Sequence, residues 1–435
     1  MSELNPITLG DTPEEYVENE DGSVDVPDLE PVDSTNEEFY TNLAEGIEES
    51  ELHIIASEYS ELIEKDKEAR KKRDEQYEEG IRRTGLGDDA PGGAQFDGAS
   101  RVVHPVMAEA CVDFASSAIK ELFPPSGPVK TDYVGNVTKD EIERGDRKKE
   151  FMNWQLTKQM PEYYDELEQL LSQMPLGGAQ YMKLRFDEAL KRPVAEFIPI
   201  DEILLPYSAT SFYTAQRMTH RQLITKHTYE QRVDCGFYRD IAVSASGSTP
   251  EQTSSALATD KVEGLSDTAY NEDGLRAVLE VYTWLDLDDD PISKGEKAPY
   301  IVHIDEYSEK ILALYRNWDD QDPTFDKLDW VVEFKFIPWR GAYGIGLPHL
   351  IGGLSAALTG SLRALLDSAH INNAPSMLKL KGARGQPGSN TQVNITEVTE
   401  IECPPNVTDI RAIAMPMPFN QPSPVLFQLL GWLTD

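Results

Sequence analysis

A long apolar helical pattern near the C-terminal end of this 435-residue chain limits most strongly what the chain can fold into. Leucine and isoleucine recur every three or four residues from Leu347 to Ala369, which predicts one apolar face on a helix about 35 Å long. The other face carries small residues at four positions: Gly352, Gly353, Ala356 and Gly360. Each interior glycine costs about 1 kcal/mol of helix stability relative to alanine. This cost predicts that another surface packs closely against the small residues.

The segment after this helix has a different composition. Asn372-Asn373-Ala374-Pro375 predicts the end of the helix, and Pro424 opens a second apolar helix. Between them lies a small β-rich unit with three basic residues near its start: Lys379, Lys381 and Arg384. These residues form either the polar face of a hairpin or a docking site for a partner. Because the sequence stops within the second apolar helix, we expect the natural chain to continue beyond residue 435.

The charge balance restricts the function. Acidic residues outnumber basic ones by 77 to 40, and the formal net charge is −37 at pH 7. Tight binding to nucleic acid needs lysine and arginine against the phosphates, so this balance argues against such a role. It remains compatible with a surface that DNA slides past. The first basic residue is Lys65, and residues 1–35 are acidic and poor in apolar side chains, which predicts a flexible arm.

The cysteine spacing and the hydropathy of the sequence indicate the compartment and the kinds of partner to expect. The three cysteines, Cys111, Cys235 and Cys403, lie far apart, which fits neither a disulfide framework nor metal-ligand spacing and favours a reducing compartment. The most apolar stretch, residues 350–366, contains Arg363 and several glycines and is shorter than a clean membrane span. We therefore expect neither a metal or other cofactor nor a membrane partner.

Two short motifs are candidate catalytic loops. Gly341-x-x-Gly344-x-Gly346 precedes a helix, but its spacing fits neither a dinucleotide fingerprint nor a phosphate loop, so it predicts a turn. Ser355 lacks the second glycine of a nucleophile elbow.

The aspartates and the histidines are candidate metal ligands. The aspartates between positions 286 and 290 precede a proline and lack the glycine and distant glutamate of a calcium loop, which favours a solvated turn. The seven histidines are scattered without zinc-ligand spacing. No enzyme signature remains.

The rest of the chain predicts an α+β fold. Helical spacing begins at residue 39, continues through a basic run at 65–73 and stops at a glycine-containing loop, 85–93. Further helices are predicted over residues 104–123 and 139–174, the last with a bend near Pro161. Strand patterns follow at residues 180–187, 194–200, 278–285 and 331–338, and residues 300–305 and 311–316 predict a hairpin. Residues 244–272 are rich in Ser, Thr and Gly and predict a long loop or a surface insertion.

Several blocks of the sequence resemble the portal (head-to-tail connector) proteins of tailed bacteriophages. The first is Phe96-Asp-Gly-Ala-Ser-Arg-Val-Val-His-Pro with its continuation to residue 130. Similar blocks occupy residues 149–157, 192–210 and 336–350. They consist of ordinary residues, so the resemblance depends on their order and spacing, and together they cover most of residues 90–210 and 330–375.

The resemblance implies an organisation and a function. After the acidic arm at 1–35, which the composition predicts, it implies a helical and β-rich wing at 36–340, a first stem helix at 341–375, a small clip at 376–418 and the start of a second stem helix at 419–435. Family members continue into further wing and a crown. A dodecameric ring at one capsid vertex is implied, through which double-stranded DNA passes without specific binding.

The implied partners follow from the same resemblance. The clip, with Lys379, Lys381 and Arg384, would bind the terminase and later the tail adaptor, and the ring would contact the major capsid or scaffold protein. The small residues of the stem helix would pack between subunits. The protein would be part of the virion and assemble in the host cytoplasm. Two alternatives stay open: another phage structural protein, such as a scaffold or adaptor, and a metal-dependent hydrolase that uses the aspartates at 286–290.

Overall fold

The computed structural model describes residues 17–18, 24–25, 37–87, 99–133, 135, 137–187, 190–243, 250–265, 271, 274–288, 290–373, 377–379, 414–416 and 424–434. Within these residues helices and antiparallel sheets are both present, which confirms the predicted α+β class. The predicted acidic arm lies largely outside them. Its described part is a pair of two-residue antiparallel strands, β1 (Val17–Glu18) and β2 (Val24–Asp25).

Eight α-helices occupy the described residues: α1 (Glu49–Arg82), α2 (Val106–Leu122), α3 (Lys139–Trp154), α4 (Glu162–Gly177), α5 (Lys226–Asp234), α6 (Ser254–Glu263), α7 (Leu347–Asn373) and α8 (Pro424–Thr434). The bend predicted near Pro161 is confirmed. Helix α3 runs into a π-helical turn, Gln155–Gln159, and α4 begins directly after Pro161. A proline fits this place because the first turn of a helix does not use its backbone N–H groups for intrahelical bonds.

The predicted start of the first helix is wrong. Two short 3-10 turns, Glu37–Tyr40 and Leu43–Glu45, precede α1 where a continuous helix from residue 39 was expected. The cause is the buried side chain of Asn42. Its amide donates to the Leu312 carbonyl at 3.2 Å, and its oxygen accepts from the Leu314 N–H at 3.0 Å. This long-range pairing holds the segment against a strand and keeps it out of a helix.

Residues 244–272, predicted as a long loop or a surface insertion, are not a loop throughout, because α6 lies within them. The side chain of Thr253 accepts from the N–H of Ala256 and caps the start of this helix. Gly264 ends it with a left-handed backbone, φ 76°. Ala258 is buried against the body, so tertiary packing supports a helix of weak intrinsic propensity.

Two larger antiparallel sheets form the centre. The five-stranded sheet has the order β5 (Ile203–Leu204), β6 (Arg217–Ile224), β7 (Arg276–Leu285), β8 (Ala298–Asp305) and β9 (Lys310–Arg316). The three-stranded sheet has the order β10 (Val331–Lys335), β3 (Ala179–Asp187) and β4 (Arg192–Ile198). The predicted hairpin is confirmed, because β8 and β9 pair antiparallel.

Alternation of side chains decides how the sheets pack. One face of the five-stranded sheet, which includes Val281 and Val302, buries Leu52, Ala56 and Ile63 of α1. The other face meets the three-stranded sheet through residues such as Tyr181, Ile203, Met218 and Tyr282. The far side of the three-stranded sheet is covered by α2 and α4.

A buried charged cluster lies where the two sheets meet. Lys183 of β3 donates to the Glu280 carboxylate of β7. The Nε2 of Gln222 and the hydroxyl of Tyr282 also donate to this carboxylate, at 2.9 and 2.8 Å, and His220 Nδ1 lies 3.3 Å from it. Burial opposes the charge of Glu280, but Lys183 and His220 outweigh burial and hold the pKa of Glu280 well below its ordinary range.

His303 of β8 is paired with Glu280 of β7 across the two strands. Its burial predicts that the protein loses stability in acid. Burial lowers the pKa of His303 to about 4, although Glu280 opposes this shift, and Lys183 and Arg232 reinforce it. The unfolded histidine has a pKa of about 6.5. Between these two values the unfolded chain binds more protons, so stability rises with pH, and acidification costs up to about 3 kcal/mol. Urea unfolding at pH 7, 6 and 5 should show this slope.

The slope should be much smaller in His303→Phe. The exposed residue His227 provides the control, because His227→Gln should leave the slope unchanged. His220 acts in the opposite direction. Its pKa is raised, because its hydrogen bonds to Glu202 and Glu280 outweigh burial, so its contribution is present below about pH 6.5 and lost as pH rises through its folded pKa. An unchanged acid slope in His303→Phe would contradict the assignment.

Candidate assembly surface

The glycine-rich segment at 341–346 forms the turn between β10 and α7, as predicted. The N–H of Ile345 donates to the Ile337 carbonyl at 2.9 Å and closes the turn. A Cβ added at Gly346 would lie 2.5 Å from the carbonyl oxygen of Leu176 and 2.7 Å from that of Pro175. Glycine is needed here because the turn presses against the end of α4.

Substitution of Gly346 should therefore destabilise the subunit. Gly346→Ala places a methyl group against two backbone carbonyls, and overpacking of this kind costs about 1–3 kcal/mol. The matched control is Gly341→Ala in the same turn, where an added Cβ meets no atom within 4 Å. Chemical denaturation of both variants should show the loss at position 346 alone. Equal stability of the two variants would argue against the close approach.

Arginines from α1 hold the beginning of α7. The Nη2 of Arg73 donates to the carbonyls of Gly177 and Gly344, at 2.8 and 2.7 Å. Arg83, which follows α1, donates to the carbonyl of Gly352. Gly352 is buried by this contact within the chain. Gly352 is therefore covered by its own subunit. Of the residues predicted to pack between subunits, Gly353, Ala356 and Gly360 are left for that role.

An extended segment, residues 99–105, covers the C-terminal half of α7 on the same side. The N–H of Ser100 donates to Asp367 at 2.6 Å, and the N–H of His104 donates to the Thr359 hydroxyl at 3.2 Å. Arg363 returns a bond from its Nε to the Val102 carbonyl at 2.9 Å. One side of α7 is thus fixed to the body of the subunit.

The opposite side of α7 is exposed and uncharged. Leu350 and Leu354 are 53% and 55% exposed, and they flank Gly353. A methyl group added at Gly353 or Gly360 would meet none of the described atoms within 4 Å. Residues 347–362 contain no Asp, Glu, Lys or Arg. We call this exposed side, Leu350, Gly353, Leu354, Ala357 and Gly360, the outer face of α7.

The outer face corrects the predicted division of this helix. The sequence pattern placed Leu350 and Leu354 on one continuous apolar face with Leu358, opposite the small residues. In the structure Leu358 is buried, whereas Leu350 and Leu354 lie beside the glycines. Ala356 is also exposed, at the edge of the outer face. The exposed surface therefore combines bulky and small apolar residues.

Helix α8 adds a second apolar surface. It contains no charged residue, and it contacts α7. Several of its large side chains are exposed, and Trp432 is 76% exposed. A helix that is apolar on all sides is normally buried, so α8 requires a further covering surface.

The strands between α7 and α8 form a short ribbon, with β11 (Met377–Lys379) antiparallel to β12 (Ala414–Pro416). Lys379 lies on β11 opposite Ala414. The other two basic residues predicted to bind a partner, Lys381 and Arg384, lie outside the described residues. Their role stays a prediction.

The aspartates at 286–290 are not one solvated group. Asp286 and Asp288 are exposed, but Asp290 is buried, so the predicted solvated turn is wrong there. Arg316 binds the Asp290 carboxylate through two nitrogens, at 3.0 and 2.8 Å. Burial opposes the charge, but the hydrogen bond from Arg316 lowers the pKa of Asp290. In the part of the chain that is described, no group of three or more His, Cys, Asp or Glu residues could hold a metal ion.

Comparison with known proteins identifies no family for this chain. No protein-family model matches the chain, and no curated protein matches it. Among the helices in the described ranges, none combines the length and hydropathy needed to cross a lipid bilayer.

Proposed function

We propose that this chain is a subunit of a bacteriophage portal, the ring at one capsid vertex through which DNA is packaged and ejected. The observation that carries the proposal is the outer face of α7, an exposed and uncharged surface on a chain of net charge −37. Large exposed apolar patches of this kind mark protein–protein contacts. Glycine at two positions of the face lets a second helix approach closely.

The order of elements supports the same proposal. Helix α7 leads into the β11–β12 ribbon, and α8 returns from the ribbon to contact α7. Because β11 and β12 pair, Lys379 and Ala414 lie side by side, so the ends of the two strands are at one place. In the proposed ring, α7 and α8 are stem helices and residues 376–418 are the clip that binds the terminase and the tail adaptor.

Charge gives the proposed ring a distinctive salt dependence. Twelve copies of a chain with net charge −37 repel one another, so apolar contacts must supply the association energy. Salt screens repulsion between exposed charges beyond about 10 Å at 0.1 M. Assembly should therefore strengthen as salt increases. The same negative field keeps DNA from adhering in the channel.

Mass photometry and negative-stain electron microscopy of the purified chain test the proposal. We expect closed rings, which a repeated head-to-tail interface forms when its rotation closes, with a larger assembled fraction at high salt. The resemblance to portal proteins implies about twelve subunits in each ring. A monomer at every salt and protein concentration would contradict the proposal. Open or irregular assemblies would favour a scaffold or adaptor.

The hydrolase alternative gains no support from the site it would use. A metal would need the carboxylates at 286–290 to be available as ligands. The Asp290 carboxylate is instead bound by Arg316 and accepts a bond from the Tyr300 hydroxyl at 2.7 Å. Divalent-metal-dependent hydrolysis that is lost in Asp288→Ala would favour this alternative.

A further inference from the structure

Helix α3 is an exposed helix with a surface that the body of the subunit does not use. None of its residues is buried. Near its C-terminal end Phe151 and Trp154 are 58% and 48% exposed, and their ring centroids lie 5.8 Å apart. Met152 between them is exposed as well. Two neighbouring aromatic rings in water indicate a surface that another segment covers.

Basic residues lie on the same face as the aromatic pair. Arg144, Arg147 and Lys148 precede Phe151 by seven, four and three residues, so the four side chains share one side of the helix. Neither Arg147 nor Lys148 forms an ion pair with any residue that the structure describes. We call Arg144, Arg147, Lys148, Phe151 and Trp154 the basic aromatic face. It is unusual in a chain with nearly twice as many acidic as basic residues.

We propose that the basic aromatic face binds the acidic N-terminal segment of this chain, residues 1–36. That segment contains eleven Asp and Glu residues and no Lys or Arg. It also contains prolines and aliphatic residues, among them Val24, Val26 and Leu29, which can pack against aromatic rings. Charge complementarity between such surfaces favours both encounter and register.

The segment is long enough to reach α3. It joins the body near Phe39, which is buried with its ring centroid 5.7 Å from that of Trp318. Because β1 and β2 pair, the chain folds back between residues 17 and 25. The 29 residues on either side, 1–17 and 25–36, span at most about 95 Å, more than the width of a domain of this size. Both the same subunit and a neighbouring copy are within this reach. The occupant is the same segment in either case.

Photo-cross-linking of the full-length protein tests this binding directly. A benzophenone side chain at position 151, introduced as Phe151→p-benzoylphenylalanine, should cross-link to peptides from residues 1–36, which mass spectrometry identifies. The same group at Tyr207, which is 89% exposed, is the control for non-specific capture. We expect at least a fivefold higher yield with residues 1–36 from position 151. A mixture of isotopically light and heavy protein separates links within one chain from links between chains.

Charge reversal supplies the second arm of the experiment. Arg147→Glu with Lys148→Glu should reduce the cross-link at least fivefold, as should an increase from 0.05 to 0.5 M salt. Lys139→Glu, at the far end of α3 and fully in solvent contact, should leave the yield unchanged. Cross-links from position 151 that map to another surface would overturn the proposal. So would a cross-link yield that is the same in the Arg147→Glu, Lys148→Glu variant, in Lys139→Glu and in the wild type. The cross-link is read on the purified protein whether or not it forms rings, so its outcome is separate from the test of ring formation.

Discussion

Replacing Gly353 and Gly360 together by leucine is expected to abolish assembly without unfolding the subunit. Both positions lie on the outer face of α7, and an added Cβ at either one has no atom within 4 Å in the part of the chain that the structure describes. The two leucines are therefore accommodated in the free subunit, and they raise its helix propensity by up to about 1 kcal/mol each. In a ring they would occupy the space of the neighbouring helix. Mass photometry should show monomers, and urea unfolding should show equal or higher stability.

A control separates a specific interface from a general effect of added apolar bulk. Ala69 is exposed on α1, away from the outer face, and Ala69→Leu should assemble as the wild type does. Normal rings from the Gly353→Leu, Gly360→Leu double variant would show that the outer face is not the subunit interface. If Ala69→Leu also failed to assemble, added apolar bulk anywhere on the surface, and not its position on the outer face, would be the cause of the lost assembly.

Removing the cation of the buried cluster should have the largest effect on stability. Lys183→Met leaves the Glu280 carboxylate buried between the sheets without its lysine partner, with the imidazoles of His220 and His303 as its remaining basic neighbours. Losing one partner of a buried pair costs about 3–5 kcal/mol, a large part of the total stability of an ordinary domain. Urea unfolding in the Gly353→Leu, Gly360→Leu background measures this cost without a contribution from assembly.

A double-mutant cycle identifies the cause of that loss. Adding Glu280→Gln removes the unpaired charge while it keeps an amide oxygen that can accept the Tyr282 hydroxyl, so the double variant should recover about 2 kcal/mol of the loss. The exposed pair of Lys65 and Glu61 is the control, because surface ion pairs contribute at most about 1 kcal/mol. A cost below about 1 kcal/mol for Lys183→Met would show that the pair does not join the sheets.

Local signals in the sequence account for the elements that were predicted correctly. The proline at 161 marks the break between α3 and α4, and alternating residues mark the β8–β9 hairpin. The glycines of the 341–346 turn also indicated a turn correctly. Each of these features depends on residues within a few positions of one another, which is the range over which propensity and periodicity act.

The features that were missed depend on contacts across the chain. Lys183 and Glu280 are 97 positions apart, and no pattern within either strand indicates the pairing. The same is true of Asn42, which contacts β9 and keeps the preceding residues out of a helix. For α7, apolar residues surround most of the helix, so periodicity alone cannot show which side the subunit covers.

The length of α1 has a mechanical consequence. Its 34 residues form a rod about 50 Å long. Near one end Leu52 and Ile63 are packed on the five-stranded sheet, and near the other Arg73 is bonded to the turn before α7. An axial load on α7, such as strain from a moving polymer, would enter this rod through the arginine contacts. Because the backbone hydrogen bonds of a helix join its own successive turns, the load would pass along α1 to the five-stranded sheet, which α1 contacts over much of its length, and α7 and this sheet would shift together.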